Sequence, residues 1–183
     1  LGKTFAAAFN SKDVASANLV TASSVQLTDG TGLASDYVLG SGQTASARIT
    51  PLSVNVTGVS AVGRVYDATT RATLTGTPVI TTITGAGDSP VVAGTALAVF
   101  GDANAAANKP VTVTGYSLSG TGASNYALVQ PSGLTATIAQ ATLNVIANAD
   151  AKLVTTLDGT NFNGVSYAGF VGADTAAVVG GTL

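Results

Sequence analysis

The sequence predicts an all-β protein built of tandem small β-sandwich repeats, Ig-like in strand count, of about 90 residues each. Three observations carry this expectation. Short runs alternate apolar and polar residues at period two. The composition favours strands over helices. The chain also echoes itself at a spacing of 91 and then 89 residues.

Hydrophobic residues make up 46% of the 183 residues and aromatics 5%, and most of the apolar share is Ala, Val and Leu. Any core is therefore packed from small aliphatic side chains. Charged residues are 9%, against roughly 25% in ordinary proteins. All nine acids are Asp, and Glu and Met, two good helix formers, are absent. Thr and Val fill the gap and favour strands.

Taken in order, "LGKTFAAAF" (1–9) reads as a strand, because its later echo contains "LAVF". "SKDVASAN" (11–18) reads as a brief helix or a wide loop, and "TDGTG" (28–32) as a turn. Strands are expected at "LSVNV" (52–56), "TALAVF" (95–100), "VTVTGYSL" (111–118), "YALV" (126–129), "LTATI" (134–138) and "LNVI" (143–146). "GAGD" (85–88), "SGTGAS" (119–124) and "QPSG" (130–133) supply turn chemistry between them. A short helical turn is expected at "DANAAAN" (102–108), which makes a β-grasp-like repeat the alternative fold.

The echo begins with Phe9 over Phe100 and continues with Val20 over Val111. Past the Gly-rich turn, "ASDYVL" (34–39) lies over "ASNYAL" (123–128), placing Asp36 over Asn125 and Tyr37 over Tyr126. Ala47 then lies over Ala136. This phase gives the end of one repeat at 1–57, a complete repeat at 58–146 and the start of a further repeat at 147–183. In the third, Leu157–Asp158 echoes Tyr66–Asp67. The chain begins in mid-pattern, so it is expected to be a segment of something longer. Partial repeats cannot bury their strand faces alone, so self-association through strand addition is expected. Tyr37 and Tyr126 each precede a strand, and the economical reading is a buried ring whose hydroxyl returns to a backbone group.

"VYDATTRATLTGTPVI" (65–80), "KPVTVTG" (109–115) and "NYAL" (125–128) together resemble the YDG repeat of large secreted bacterial adhesins of the filamentous-haemagglutinin type. Residues 157–183 resemble the opening half of the related MBG repeat. Ala68 stands where the name-giving Gly of the motif is expected, and Leu157 where its Tyr is expected. The resemblance implies a stalk or filament segment of an extracellular, cell-surface protein whose partners are neighbouring repeats of its own kind, and it supplies no catalytic residues.

The residues themselves argue the same way. Without His or Cys, nucleophilic triads lack their usual base or thiol. The Asp residues sit in Gly, Ser and Thr turns, where the carboxylate bonds nearby amides, which disfavours a paired-carboxylate site. An isopeptide cross-link between Lys109 and Asn125 is not kept in the first repeat. No cofactor is expected; Ca²⁺ at Asp88, Asp102 or Asp174 is the one metal considered, although no Asp-x-Asp run gathers the oxygens it needs. A net charge of −2 with scattered cations argues against nucleic acid. No run of 18 apolar residues argues for membrane insertion. The expected function is a structural stalk segment; the alternative is an adhesin module gripping a glycan or matrix protein.

Overall fold

The computed structural model describes residues 6–23, 25–40, 43–81, 87–151, 153–155 and 163–180. The fold is all-β. Strands run over Ala6–Phe9 (β1), Leu19–Ser23 (β2), Thr44–Ser46 (β3), Leu52–Val62 (β4), Arg64–Val65 (β5), Thr73–Ile80 (β6), Ser89–Phe100 (β7), Ala106–Thr121 (β8), Tyr126–Val129 (β9), Thr135–Ala139 (β10), Asn144–Ala147 (β11) and Val165–Ala168 (β12). The helical segments among the described residues are single 3-10 turns at Ala34–Asp36, Ala123–Asn125 and Ala176–Val178.

Four sheets form, with strand orders β1-β2-β3, β5-β10-β8-β7, β6-β4-β9 and β11-β12. β4 pairs with β9, and β5 with β10, in parallel. An Ig-like sandwich has antiparallel sheets, so the Ig-like detail of the expectation is not shown. Residues 102–108 do not form the expected helical turn: bends lead into β8, which starts at Ala106. The Ala-rich run favours helix locally, but pairing with β10 holds it extended. The counterpart at 11–18 is a loop with one turn, closed by Ser16 and Ala17 N–H groups donating to the Asp13 carbonyl at 3.1 and 2.8 Å.

The chain packs into two compact units. Unit 1 holds residues 1–57, 78–95 and 115–130; unit 2 holds 58–77, 96–114 and 131–183. These units come from packing, whereas the repeat boundaries at 57 and 146 are phases of a sequence pattern. Unit 1 buries Ala17, Val54 and Val56. Unit 2 buries a larger set, including Phe100, Val111, Val113 and Ile138. Alternation produces these faces: Val111 and Val113 on β8 and Ala136 and Ile138 on β10 point the same way at period two. In β4 the buried positions step from Val54 and Val56 to Val59, and Gly58, at φ +80°, takes up the extra residue.

Two sheets are equivalent under the sequence echo. β1-β2-β3 in unit 1 has the same strand order as β7-β8-β10, whose stretches at 96–100, 106–114 and 135–139 belong to unit 2. In unit 2, Pro110 faces Thr135 across β8 and β10. Moving Pro110 back by 91 and Thr135 by 89 gives Leu19 and Ser46, which face each other across β2 and β3. The register is therefore the same in both sheets. The two 3-10 turns agree as well. Tyr37 ends the first at φ −130°, ψ 146°, and Tyr126 ends the second at φ −127°, ψ 145°.

Their surroundings differ. Phe100 is 2% exposed, with the Arg64 guanidinium 5.5 Å from its ring, whereas Phe9 is 43% exposed. Tyr126 is half-buried, whereas Tyr37 is 68% exposed. The expected burial of the Tyr37 ring is thus corrected: the backbone corner forms, but the ring stays mostly exposed.

Candidate functional site

Unit 1 carries a closed polar network around Asp88. The chain reaches this point because the 3-10 turn Ala123–Asn125 leads straight into β9, while Asp88 immediately precedes β7. Only 4% of the Asp88 side chain is exposed. Its carboxylate accepts from Lys12 Nζ at 3.0 Å, from Asn125 Nδ2 at 3.0 Å and from the Tyr126 hydroxyl at 3.1 Å. Asn125 Nδ2 also donates to Asp13 Oδ1 at 2.9 Å, and Asn125 Oδ1 accepts from the Val14 N–H at 2.9 Å. Lys12 closes the ring on Asp13 at 2.9 Å.

The electrostatics follow from these contacts. The Asn125 amide, then the Lys12 ammonium, hold Asp88 below the usual carboxylate range. Lys12 and Asn125 do the same for Asp13. Lys12 is raised by Asp13 and then Asp88. Burial, then the Asp88 carboxylate, raises Tyr126. The Asn125 amide, the Tyr126 hydroxyl and the Lys12 ammonium all donate to the Asp88 carboxylate, so the network fixes a corner. The Tyr126 hydroxyl goes to a carboxylate, where the tyrosine-corner reading expected a backbone group.

Unit 2 carries the Tyr66–Asp67 pair. The Tyr66 N–H donates to the Ala139 carbonyl at 2.8 Å, continuing the β5–β10 ladder, and its hydroxyl donates to Asp174 Oδ2 at 2.9 Å. That bond to Asp174 raises the Tyr66 phenol. Asp67 accepts from the Thr69 N–H at 2.9 Å and its hydroxyl at 2.7 Å, and is paired with Arg64. Arg64, then Thr69, lower Asp67 to about 2. Ala68, between them, has φ +62°. This left-handed conformation favours glycine, which is the physical reason a Gly is expected at that place in the motif. Asp158, the third-repeat echo of Asp67, lies outside the described residues, as does "LDGT".

Beside Tyr66 an open cavity of about 420 Å³ is lined by Asn104, Ala105, Gln140, Phe170, Asp174 and Val178 among others.

The remaining sequence candidates are occupied elsewhere. Lys109 is buried and donates to Asp102 at 2.5 Å, while Asn125 belongs to the Asp88 network. The isopeptide pairing of Lys109 with Asn125 therefore has no geometric support. Among the described residues no group of three or more acidic side chains could hold a metal ion. Sequence reasoning missed Lys12, Asp13 and Asp88 as partners of the Asn125–Tyr126 corner. Asp88 reads locally as one more turn Asp, and its three partners lie 37 or more residues away.

The Tyr66–Asp67 turn, the β5–β10 ladder and the Asn125–Tyr126 corner all fall within or beside one stretch of known type. A YDG domain is found at residues 50–136. The YDG domain thus contains β4 to β9, the left-handed Ala68 and, of the Asp88 network, Asp88, Asn125 and Tyr126, while Lys12, Asp13 and Val14 lie outside it. No curated protein and no solved structure gives a significant match to this chain. Among the described residues, no helix is long and apolar enough to cross a membrane.

Proposed function

We propose that the chain is a structural segment of a stalk or filament, made of tandem YDG-type repeats with an MBG-like start at 147–183, in a secreted bacterial adhesin at the cell surface. The observation that carries this reading is the shared register of β2–β3 and β8–β10, together with the twin 3-10 corners at Tyr37 and Tyr126. A chain that writes the same sheet and corner twice is suited to stacking like on like. The YDG domain at 50–136 supports the repeat type in this reading, and the tandem array and the adhesin are the proposal's own steps. The polar groups of the Asp88 network are spent on each other, which suits a load-bearing corner better than a reaction centre.

Under this reading the repeats of one chain, and of neighbouring copies, are the partners. A glycan array together with a broad turnover screen on the isolated chain tests it. No turnover and no saturable glycan binding is the expected outcome. Specific, saturable binding of one glycan would replace the stalk with a ligand-binding adhesin module.

A further inference from the structure

We propose that the unit 2 cavity seats the Asp36–Tyr37 corner of a second copy of this chain. The inference rests on the stacking of repeats in the proposed function and names the contact through which successive copies meet.

Unit 1 supplies the template. There, loop residues Asp13 and Val14 and the turn residue Asp88 together grip the Asn125–Tyr126 corner. Adding 91 converts Asp13 and Val14 to Asn104 and Ala105. The stretch "DSPVVAGTAL" (88–97) is echoed by "DTAAVVGGTL" (174–183), which puts Asp174 in the place of Asp88. Asn104, Ala105 and Asp174 all line the one cavity of about 420 Å³. The sequence counterparts of the residues that hold the corner in unit 1 therefore line an open space in unit 2.

The chain also carries the part that fits. Ala34–Asp36 and Tyr37 have the backbone of the seated corner, and Tyr37 and Asp36 are exposed. Among the described residues the Tyr37 hydroxyl has no partner. The polar groups match after an exchange of roles. In unit 1 the Asn125 amide donates to the Asp13 carboxylate. In the cavity the amide is on the seat, at Asn104, and the carboxylate is on the corner, at Asp36. Ala105 is the sequence counterpart of Val14, whose N–H donates to Asn125, and a carboxylate accepts such a bond as well as an amide oxygen does. Asp174 accepts from Tyr66 and keeps lone pairs for the Tyr37 hydroxyl.

One mismatch sets the strength. Asn125 donates to Asp88, but Asp36 would bring a second carboxylate to Asp174, and Ala103 stands where Lys12 lies in the template. Docking is therefore weaker than the internal corner, and Asp36→Asn, which restores the donor, tightens it.

Sedimentation velocity of the 183-residue chain over a concentration series tests the contact. Concentration-dependent self-association is expected. Tyr37→Ala weakens it by roughly tenfold or more, and Asp36→Asn strengthens it about tenfold. Both positions are exposed, so circular dichroism of each variant matches the parent. The chain has no Cys, which allows a second measurement. Mixing Ala105→Cys chains with Asp36→Cys chains under mild oxidation yields a mixed disulfide dimer in excess over mixing Ala105→Cys with Val154→Cys, an exposed control. A chain that stays monomeric in parent and Asp36→Asn alike overturns the proposal. So does association that Tyr37→Ala leaves unchanged. That second result rejects this contact while leaving repeat stacking in place; the loss of stacking itself shows only in the length of tandem arrays.

Discussion

The Tyr126 hydroxyl donates to the Asp88 carboxylate at 3.1 Å, although 38 residues separate them. Tyr37 repeats the backbone of Tyr126 without any such acceptor among the described residues. Both corners lie in unit 1, and among the described residues only the Tyr126 hydroxyl is tied down by a carboxylate. Tyr126→Phe is expected to lower the melting temperature by a few degrees, while Tyr37→Phe leaves it unchanged. Thermal melts of the two variants in dilute solution check this, and equal losses would count against the Asp88 network as the difference.

Ala68 sits at φ +62° in the Tyr66–Asp67 turn. An L-residue held there costs about 1–2 kcal/mol relative to right-handed backbone, partly offset by the extra freedom Gly has when unfolded. Ala68→Gly should therefore stabilise the chain by about 0.5–1 kcal/mol. Urea titration with an unchanged m-value is the measurement; a loss of stability would contradict the strained turn.

Gly76 has φ +95° within β6, and a Cβ placed on it would overlap the Gly58 carbonyl oxygen of β4. Neither strand can yield without breaking the ladder. Gly76→Ala is expected to cost about 1–3 kcal/mol, read from the shift in denaturant midpoint.

The folded-state pKa values set a pH window. Asp13, Asp67, Asp88 and Asp102 are all lowered from 3.8, Asp67 to about 2, so folding favours their charged forms. That contribution is complete above the ordinary carboxylate range and is lost as pH falls through the folded values. Tyr66 and Tyr126 are raised from 10.0 and Lys12 from 10.5, so folding favours their protonated forms. Their contribution is complete below about pH 10 and is lost as pH rises further. The sequence has no His and no Cys, the residue types that ordinarily titrate between these limits. Melting temperature should be flat from about pH 5 to 9 and fall on both sides. A transition near neutral pH would contradict these assignments.

Much of this fold was legible in the chain. Period-two alternation placed β9 residue for residue at Tyr126–Val129 and came within two residues of both ends of β10 and β11. The offsets of 91 and 89 carried the register of β8–β10 onto β2–β3. Other features were hidden, for different physical reasons. The Ala-rich 102–108 stretch has local helix propensity that sheet pairing overrides. The parallel β4–β9 ladder joins strands more than 60 residues apart, so no turn or spacing announces it. The partners of Tyr126 and Tyr66 are Asp residues from distant turns, and a turn Asp looks alike whether it caps its own loop or anchors another.

The claim that these repeats stack into a stalk is tested most directly by electron microscopy of arrays holding one, two and three copies of the chain fused end to end. The account predicts rods whose length grows by the same increment with each added copy. Compact particles, or lengths that vary freely as beads on slack tethers do, would contradict it.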